Sequence, residues 1–182
     1  IINVEGCLLR PGNLVIQDVK CYGDTDGAIC LSVQNATGAY SIFWDDESSE
    51  LCRLNLSAGK YNVHISDDAG CQSLDTFTIK QPAPIRQVNA TLVKPDFGES
   101  NGSISIVNAG GIPTYTYKWF KDGVLFTGNE SVLLNIGAGI YTYEAIDANG
   151  CLFVSDTIIL ENLPLAVGRI KTHQINISPN PT

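Results

Sequence analysis

Two passages of this chain repeat each other, and the repetition limits the fold more than any other feature. Gly27 and Gly102 are 75 residues apart, and so are Trp44 and Trp119. Tyr61 and Tyr141 are 80 apart, as are Cys71 and Cys151. The first pass reads Asp26-Gly27, then Tyr40-Ser41-Ile42-Phe43-Trp44, then Leu56-Ser57-Ala58-Gly59-Lys60-Tyr61, then Asp68-Ala69-Gly70-Cys71. The second reads Asn101-Gly102, Tyr115-Thr116-Tyr117-Lys118-Trp119, Ile136-Gly137-Ala138-Gly139-Ile140-Tyr141 and Asp147-Ala148-Asn149-Gly150-Cys151. An offset that holds, then jumps once, describes two copies of one small fold. The second copy carries a longer loop after its Trp. Arrays of small modules serve as spacers or adhesive units more often than as enzymes.

The 182 residues therefore divide into two modules with limited cores, which favours covalent support. A net charge of −8 repels phosphate backbones, so no nucleic-acid partner is expected. No apolar stretch is long enough to span a bilayer, and no basic-then-apolar leader opens the chain, so membrane insertion is not expected. The start at Ile1-Ile2 without Met suggests a piece of a longer protein.

Apolar residues alternate with polar ones almost throughout: Ile29, Leu31 and Val33; Tyr61, Val63 and Ile65; Ile104 and Ile106; Tyr141, Tyr143 and Ala145. Period two with turn signals between the runs predicts half-buried antiparallel strands, with no helical stripe. Strands are expected at 14–20, 28–34, 40–45, 51–56, 60–66 and 72–79. In the second copy they are expected at 86–93, 103–108, 115–121, 124–127, 131–136, 140–147 and 152–160. Lys121-Asp122-Gly123 reads as the hairpin turn that accounts for the insertion. Leu56-x-Ala-Gly-x-Tyr61 and Ile136-x-Ala-Gly-x-Tyr141 read as tyrosine corners. In these the Gly allows the turn into the penultimate strand and the phenol bonds back to backbone. The expected fold is all-β: two tandem immunoglobulin-like β-sandwiches. One core holds Leu31, Trp44, Leu56 and Tyr61, the other Ile106, Trp119, Ile136 and Tyr141. Gln81-Pro82-Ala83-Pro84 divides them. Residues 1–12 read as a leading segment, the possible end of an upstream module; 13–83 and 84–162 are the two repeats. Residues 163–174 form a linker, and a new strand opens at 175–182.

Six cysteines are present, Cys7, Cys21, Cys30, Cys52, Cys71 and Cys151, with no Cys-x-x-Cys pair. An even count in small β modules points to disulfides in an oxidising compartment, with buried free thiols the alternative. Cys30 and Cys52 lie on strands that are sheet neighbours in such a sandwich, and the second copy lacks both together. They are the first expected pair, and Cys21–Cys71 is the second. Cys7 and Cys151 stand at far ends of a two-module string and are not expected to meet, so a partner for Cys7 is sought upstream.

Little chemistry is visible, and no catalytic residue, metal site or cofactor is expected. Asp24 and Asp26, and the cluster Asp45-Asp46-Glu47, have the oxygen ligands calcium takes, but Asp favours turns in any case. His64 falls on the outward phase of a strand and His173 in the linker. Neither has a triad partner in the pattern. Sequons at Asn35, Asn55, Asn89, Asn101, Asn129 and Asn176 fit a chain rich in surface Asn, Ser and Thr. One Trp per module at one repeated position reads as core rather than as a sugar-stacking platform. A carbohydrate-binding reading would expose Tyr115, Tyr117, Phe120 and Tyr143 on one face.

The string Cys21-Tyr-Gly-Asp-Thr-Asp-Gly27, with Ala39-Tyr-Ser-Ile-Phe-Trp44, Leu56-x-Ala-Gly-x-Tyr61 and Asp67-x-x-Gly-Cys71, resembles the SprB repeat. That repeat is common in large cell-surface adhesins of Bacteroidetes, gliding-motility adhesins among them. The second copy is similar at its Gly, Trp, Ala-Gly-x-Tyr and Gly-Cys positions but has Asp96 where the offset would place Cys21. Ile175-Asn-Ile-Ser-Pro-Asn-Pro-Thr182 is similar to the opening of a type A sorting domain of the type IX secretion system, with Ile177, Pro179, Asn180 and Pro181 carrying the likeness. Asp156-Thr157-Ile158 resembles the O-glycosylation motif of the same bacteria. These resemblances imply a non-catalytic stalk or adhesion region, secreted or anchored at the outer-membrane surface. Its partners would be the secretion machinery through the sorting segment, and surface glycans or other cells. The rival readings are spacer modules of a larger exported enzyme and a carbohydrate-binding module.

Overall fold

The computed structural model describes residues 6–165, which form fourteen strands and no helix. In the central strands, alternation of burial follows the alternation of the sequence. In β2 (Gly27–Gln34), Gly27, Ile29 and Leu31 are buried and the residues between them are not. In β8 (Gly102–Ala109), Gly102, Ile104 and Ile106 repeat the pattern.

The first sandwich pairs β2 with β1 (Arg10–Gln17) on one side and β4 (Cys52–Leu56) on the other. The facing sheet has the order β3 (Tyr40–Trp44), β5 (Gly59–Asp67), β6 (Gln72–Ile79). All these pairings are antiparallel. Ile29, Leu31, Ile42, Trp44, Leu56, Val63, Ile65 and Ile79 meet between the sheets. The second sandwich repeats the order with β11 (Val132–Ile136), β8 and β7 (Arg86–Val93) in one sheet. Its other sheet runs β10 (Val124–Gly128), β9 (Thr116–Lys121), β12 (Gly139–Ile146), β13 (Leu152–Val154), with β14 (Ile158–Leu160) also paired to β12. Its core holds Ile104, Ile106, Trp119, Leu133, Ile136, Tyr141, Tyr143 and Leu160 and shares no residue with the first. Splitting strands 1, 2 and 4 from 3, 5 and 6 is the immunoglobulin-like arrangement. The insertion of the second copy is the hairpin β9–β10, whose turn residues Asp122 and Gly123 have φ of 50° and 80°. Two residues at positive φ suit a tight hairpin.

The repeated Gly at the start of the second strand has a steric cause. A Cβ at Gly27 would lie 2.8 Å from the Leu56 carbonyl oxygen and 2.9 Å from Ile79 Cγ2. A Cβ at Gly102 would lie 2.9 Å from the Ile136 carbonyl oxygen and 2.8 Å from that of Val93. The neighbouring strand therefore passes where a side chain would be.

Three expectations are corrected. The first strand begins at Arg10 rather than at 14, and residues 8 and 9 pack onto the first sandwich. Leu9 is buried in the first core, and Asn35 Nδ2 donates to the Leu8 carbonyl at 3.0 Å. The last strand expected at 152–160 is interrupted. Ser155 turns its hydroxyl inward to accept the Tyr143 N–H at 2.9 Å, which separates β13 from β14. Gly59 and Gly139 do not take positive φ, so they are not there for turn freedom. The expected strand at 175–178, the residues Ile177, Pro179, Asn180 and Pro181, and His173 lie outside the described residues.

Candidate functional site at the module junction

Most of the duplicated polar residues are engaged in holding backbone. Tyr61 Oη donates to the Ser57 carbonyl at 2.8 Å and Tyr141 Oη to the Gly137 carbonyl at 2.7 Å, so both tyrosine corners are formed. Trp44 Nε1 donates to the Glu50 carbonyl and Trp119 Nε1 to that of Glu130, again a matched pair. Asp67 Oδ1 accepts the N–H groups of Ala69 and Cys71; Asp147 Oδ1 accepts those of Asn149 and Cys151. The second oxygens accept from Thr37 and Ile112, which are also equivalent. Those backbone donors, Thr37 first, hold the Asp67 carboxyl below the usual carboxylate range.

Three of the five acidic residues considered for calcium, Asp26, Asp45 and Asp46, are engaged in hydrogen bonds within the module. Asp26 accepts the Lys20 N–H, and Asp45 accepts from Asn62 Nδ2. Asp46 accepts from Ser48 and pairs with Arg53, and the Ser48 hydroxyl is the main cause of its lowered pKa. Among the described residues, no three His, Cys, Asp or Glu side chains come together as a metal set. His64 lies on β5 between Phe43 and Leu74 on the outward row.

The aromatic face considered for sugar stacking is not a face. Tyr117 and Tyr143 are buried, and Tyr115 packs against the same core with its hydroxyl donating to the Gly110 carbonyl. Tyr143 Oη donates to Gln87 Oε1 and accepts from Asn108 Nδ2. Burial pushes the Tyr117 and Tyr143 phenols above their ordinary pKa. Only Phe120 of the four points outward, partly exposed.

A further difference between the two modules lies where they meet. The strands of the first sandwich end at Ile79, and the segment that follows is bonded on both sides. Val19 N–H donates to the Lys80 carbonyl, Lys80 N–H to Asp18 Oδ1, and Gly23 N–H to Gln81 Oε1. On the second module, Gly111 N–H donates to the Ala83 carbonyl at 2.7 Å, and Gly110 leaves room where a Cβ would strike the Pro84 backbone. Asn149 Nδ2 of the β12–β13 turn donates to the Lys20 carbonyl across the junction at 3.0 Å. Two open clefts of about 380 and 370 Å³ flank it.

The cysteines complete the junction. Cys30 and Cys52 are opposite one another on β2 and β4 and are bonded. The second expected pair is corrected: Cys71 is bonded to Cys7, and Cys21 to Cys151. The reason is the docked leading segment. Residues 7–9 lie against the first module where the linker at 82–85 lies against the second, Leu8 matching Ala83 at the offset of 75. Cys7 is thus beside the Gly70-Cys71 turn. The linker offers Pro82-Ala83 at the matching place, with no thiol. Cys151 therefore bonds to the thiol nearest in the neighbouring module, Cys21 in the β1–β2 loop. A signal for this existed in the sequence, because the second module holds one cysteine and an even framework must pair it outside.

Comparison with known proteins follows this geometry. The sequence model of the SprB repeat matches residues 13–49 and 97–122. No curated protein matches the chain. Among solved structures, the N-terminal eight Ig domains of Down Syndrome Cell Adhesion Molecule isoform 1.30.30 are 18% identical, with a TM-score of 0.43 over 86% of this chain and 25% of that one. Extracellular domains 3–5 of Drosophila OTK are 14% identical, with a TM-score of 0.34 over 81% of this chain and 61% of that one. A biofilm associated protein BSP domain is 13% identical, with a TM-score of 0.28 over 84% of this chain and 30% of that one. The chain thus spans a quarter of the length of the first of these structures. The matched stretches run from β1 to the turn after Trp44 in one sandwich and from the β7–β8 loop to the β9–β10 turn in the other. Each of the two modules is thus similar to the SprB repeat over part of its length.

Proposed function

We propose that the two modules are non-catalytic stalk and adhesion units of an exported bacterial protein displayed or released outside the outer membrane. Residues 175–182 would open the address read by the type IX secretion machinery. Surface glycans or other cells are the partners this reading offers. The observation that carries it is the covalent framework: all six cysteines are joined, one pair across the modules. Such bonds persist in oxidising, extracellular settings and are rare in the cytosol. The SprB matches support the same setting. The use of Asp67, Asp147, Tyr61 and Tyr141 to hold backbone supports a structural role for the residues that the repeat keeps.

The test is surface labelling of the producing cells. Antibody raised against the folded modules is expected to label intact cells or to find the protein in the medium. A chain ending at Leu163 is expected to stay inside the envelope. Labelling that needs permeabilised cells would overturn the extracellular reading, and normal export of the shortened chain would overturn the sorting role of 175–182.

A further inference from the structure

We infer that the Cys21–Cys151 bond is a mechanical bypass, through which a pull on the chain crosses the junction without loading residues 72–150. The bonded cysteines are 130 residues apart in sequence and 5.5 Å apart at Cα. Tension applied before Cys21 and after Cys151 follows the shortest covalent route. That route enters the disulfide at Cys21 and leaves it at Cys151. Residues 22–150 contain both tyrosine corners, both Trp residues and most of each core, and they form a closed side loop whose part beyond Cys71, with most of the second core, bears no tension.

The strands left on the loaded route are β1 before Cys21, and β13 and β14 after Cys151. Among the described residues, β1 is an edge strand paired with β2 alone, and β13 and β14 each pair with β12 alone. β13 and β14 can peel while the central strands stay paired, whereas β1 is anchored at both ends, at Cys7 through Cys71 and at Cys21. The extension then meets a covalent stop. The linker bonds at Lys80, Gln81 and Ala83, and the Asn149–Lys20 contact, hold the two cysteines together in the unloaded state. Cys7–Cys71 is a second bypass nested at the first module. A pull applied before Cys7 reaches that bond first, so the folded first module shares the load of residues 8–20 through Cys71.

The connectivity predicts three extension limits when the full chain is pulled by its ends. With all bonds closed, residues 1–21 and 151–182 are on the route, about 180 Å fully extended at about 3.4 Å per residue. In the C21S/C151S variant with Cys7–Cys71 intact, residues 1–7 and 71–182 are on it, about 400 Å. Under full reduction all 182 residues are on it, about 620 Å. The experiment is single-molecule force spectroscopy of the chain, oxidised and then in the presence of a phosphine reductant. A stop near 180 Å that reduction relieves is the expected result. Oxidised chains that extend well past 180 Å would overturn the bypass, as would a C21S/C151S variant that still stops there. The use of such a stop in a stalk rests on the function proposed above. The extension limits involve no cell and no ligand, so the two can fail separately.

Discussion

The two tyrosine corners show how one residue pair performs the same task in different surroundings. Tyr141 is fully buried, whereas Tyr61 is partly exposed. Removing the hydroxyl leaves a carbonyl acceptor short of a partner, and the loss grows with burial. Tyr141→Phe is expected to lower the unfolding free energy by about 1–2 kcal/mol, and Tyr61→Phe by about 1 kcal/mol or less, in urea titrations. The buried phenols also make stability depend on alkali. Folding raises the pKa of Tyr117 and Tyr143 above 10.0, chiefly by desolvation. The folded state therefore holds protons that the unfolded state has lost. That contribution is complete below pH 10 and declines as pH rises through the higher folded values. Melting temperature is expected to fall above pH 10, and to fall less steeply in Tyr143→Phe. The tyrosines and tryptophans were legible because bulky aromatics at fixed offsets have few other uses. Asp67 and Asp147 were visible only as letters of a motif. Their role as acceptors for turn amides depends on side-chain direction, which spacing does not encode.

At the scale of elements, period two located most strands and failed where a side chain interrupts a ladder. Ser155 breaks the last strand because its hydroxyl replaces a backbone partner, a local event with no periodic signature. Another hidden feature is the bulge in β4 and in its counterpart β11. Asn55 and Asn135 occupy matched places at φ of 57° and 54°, where the registers with β2 and β8 shift. Asn tolerates the left-handed region better than other side chains, and Gly tolerates it best. Asn135→Ala is expected to cost about 1 kcal/mol, and Asn135→Gly close to nothing, in the same titration. Equal losses for both would mean that the Asn side chain, not its backbone conformation, holds the bulge. The sequons at Asn55, Asn35 and Asn129 thus coincide with positive-φ positions, which explains the Asn there without glycans. The hairpin β9–β10 was readable for the opposite reason, since Asp-Gly between apolar runs is a strong local signal.

For the whole molecule, the repeat showed that there are two sandwiches but not how they are joined. Offsets treat Cys71 and Cys151 as equivalents, so they suggest equivalent partners. The structure gives them different ones, because a leading segment docks on one module and a thiol-free linker on the other. The consequence is unequal covalent support. The first module contains Cys7–Cys71 and Cys30–Cys52 within itself, while the second contains only Cys151. When the second module unfolds beside a folded first one, it is tethered at the linker and at Cys151 and becomes a closed loop. Closing a loop of that kind stabilises the folded state by roughly 2–4 kcal/mol through the unfolded chain. The first module gains less from the same bond, since its unfolded chain is already cross-linked twice. C21S/C151S is therefore expected to weaken the second module selectively. Hydrogen exchange resolved by peptide reports each module separately. Amides of β8 and β12 should lose protection by roughly a factor of 30 or more, as a change of 2 kcal/mol requires, while those of β2 and β5 change less. Equal loss in both modules, or none in the second, would mean that the bond does not lend stability across the junction.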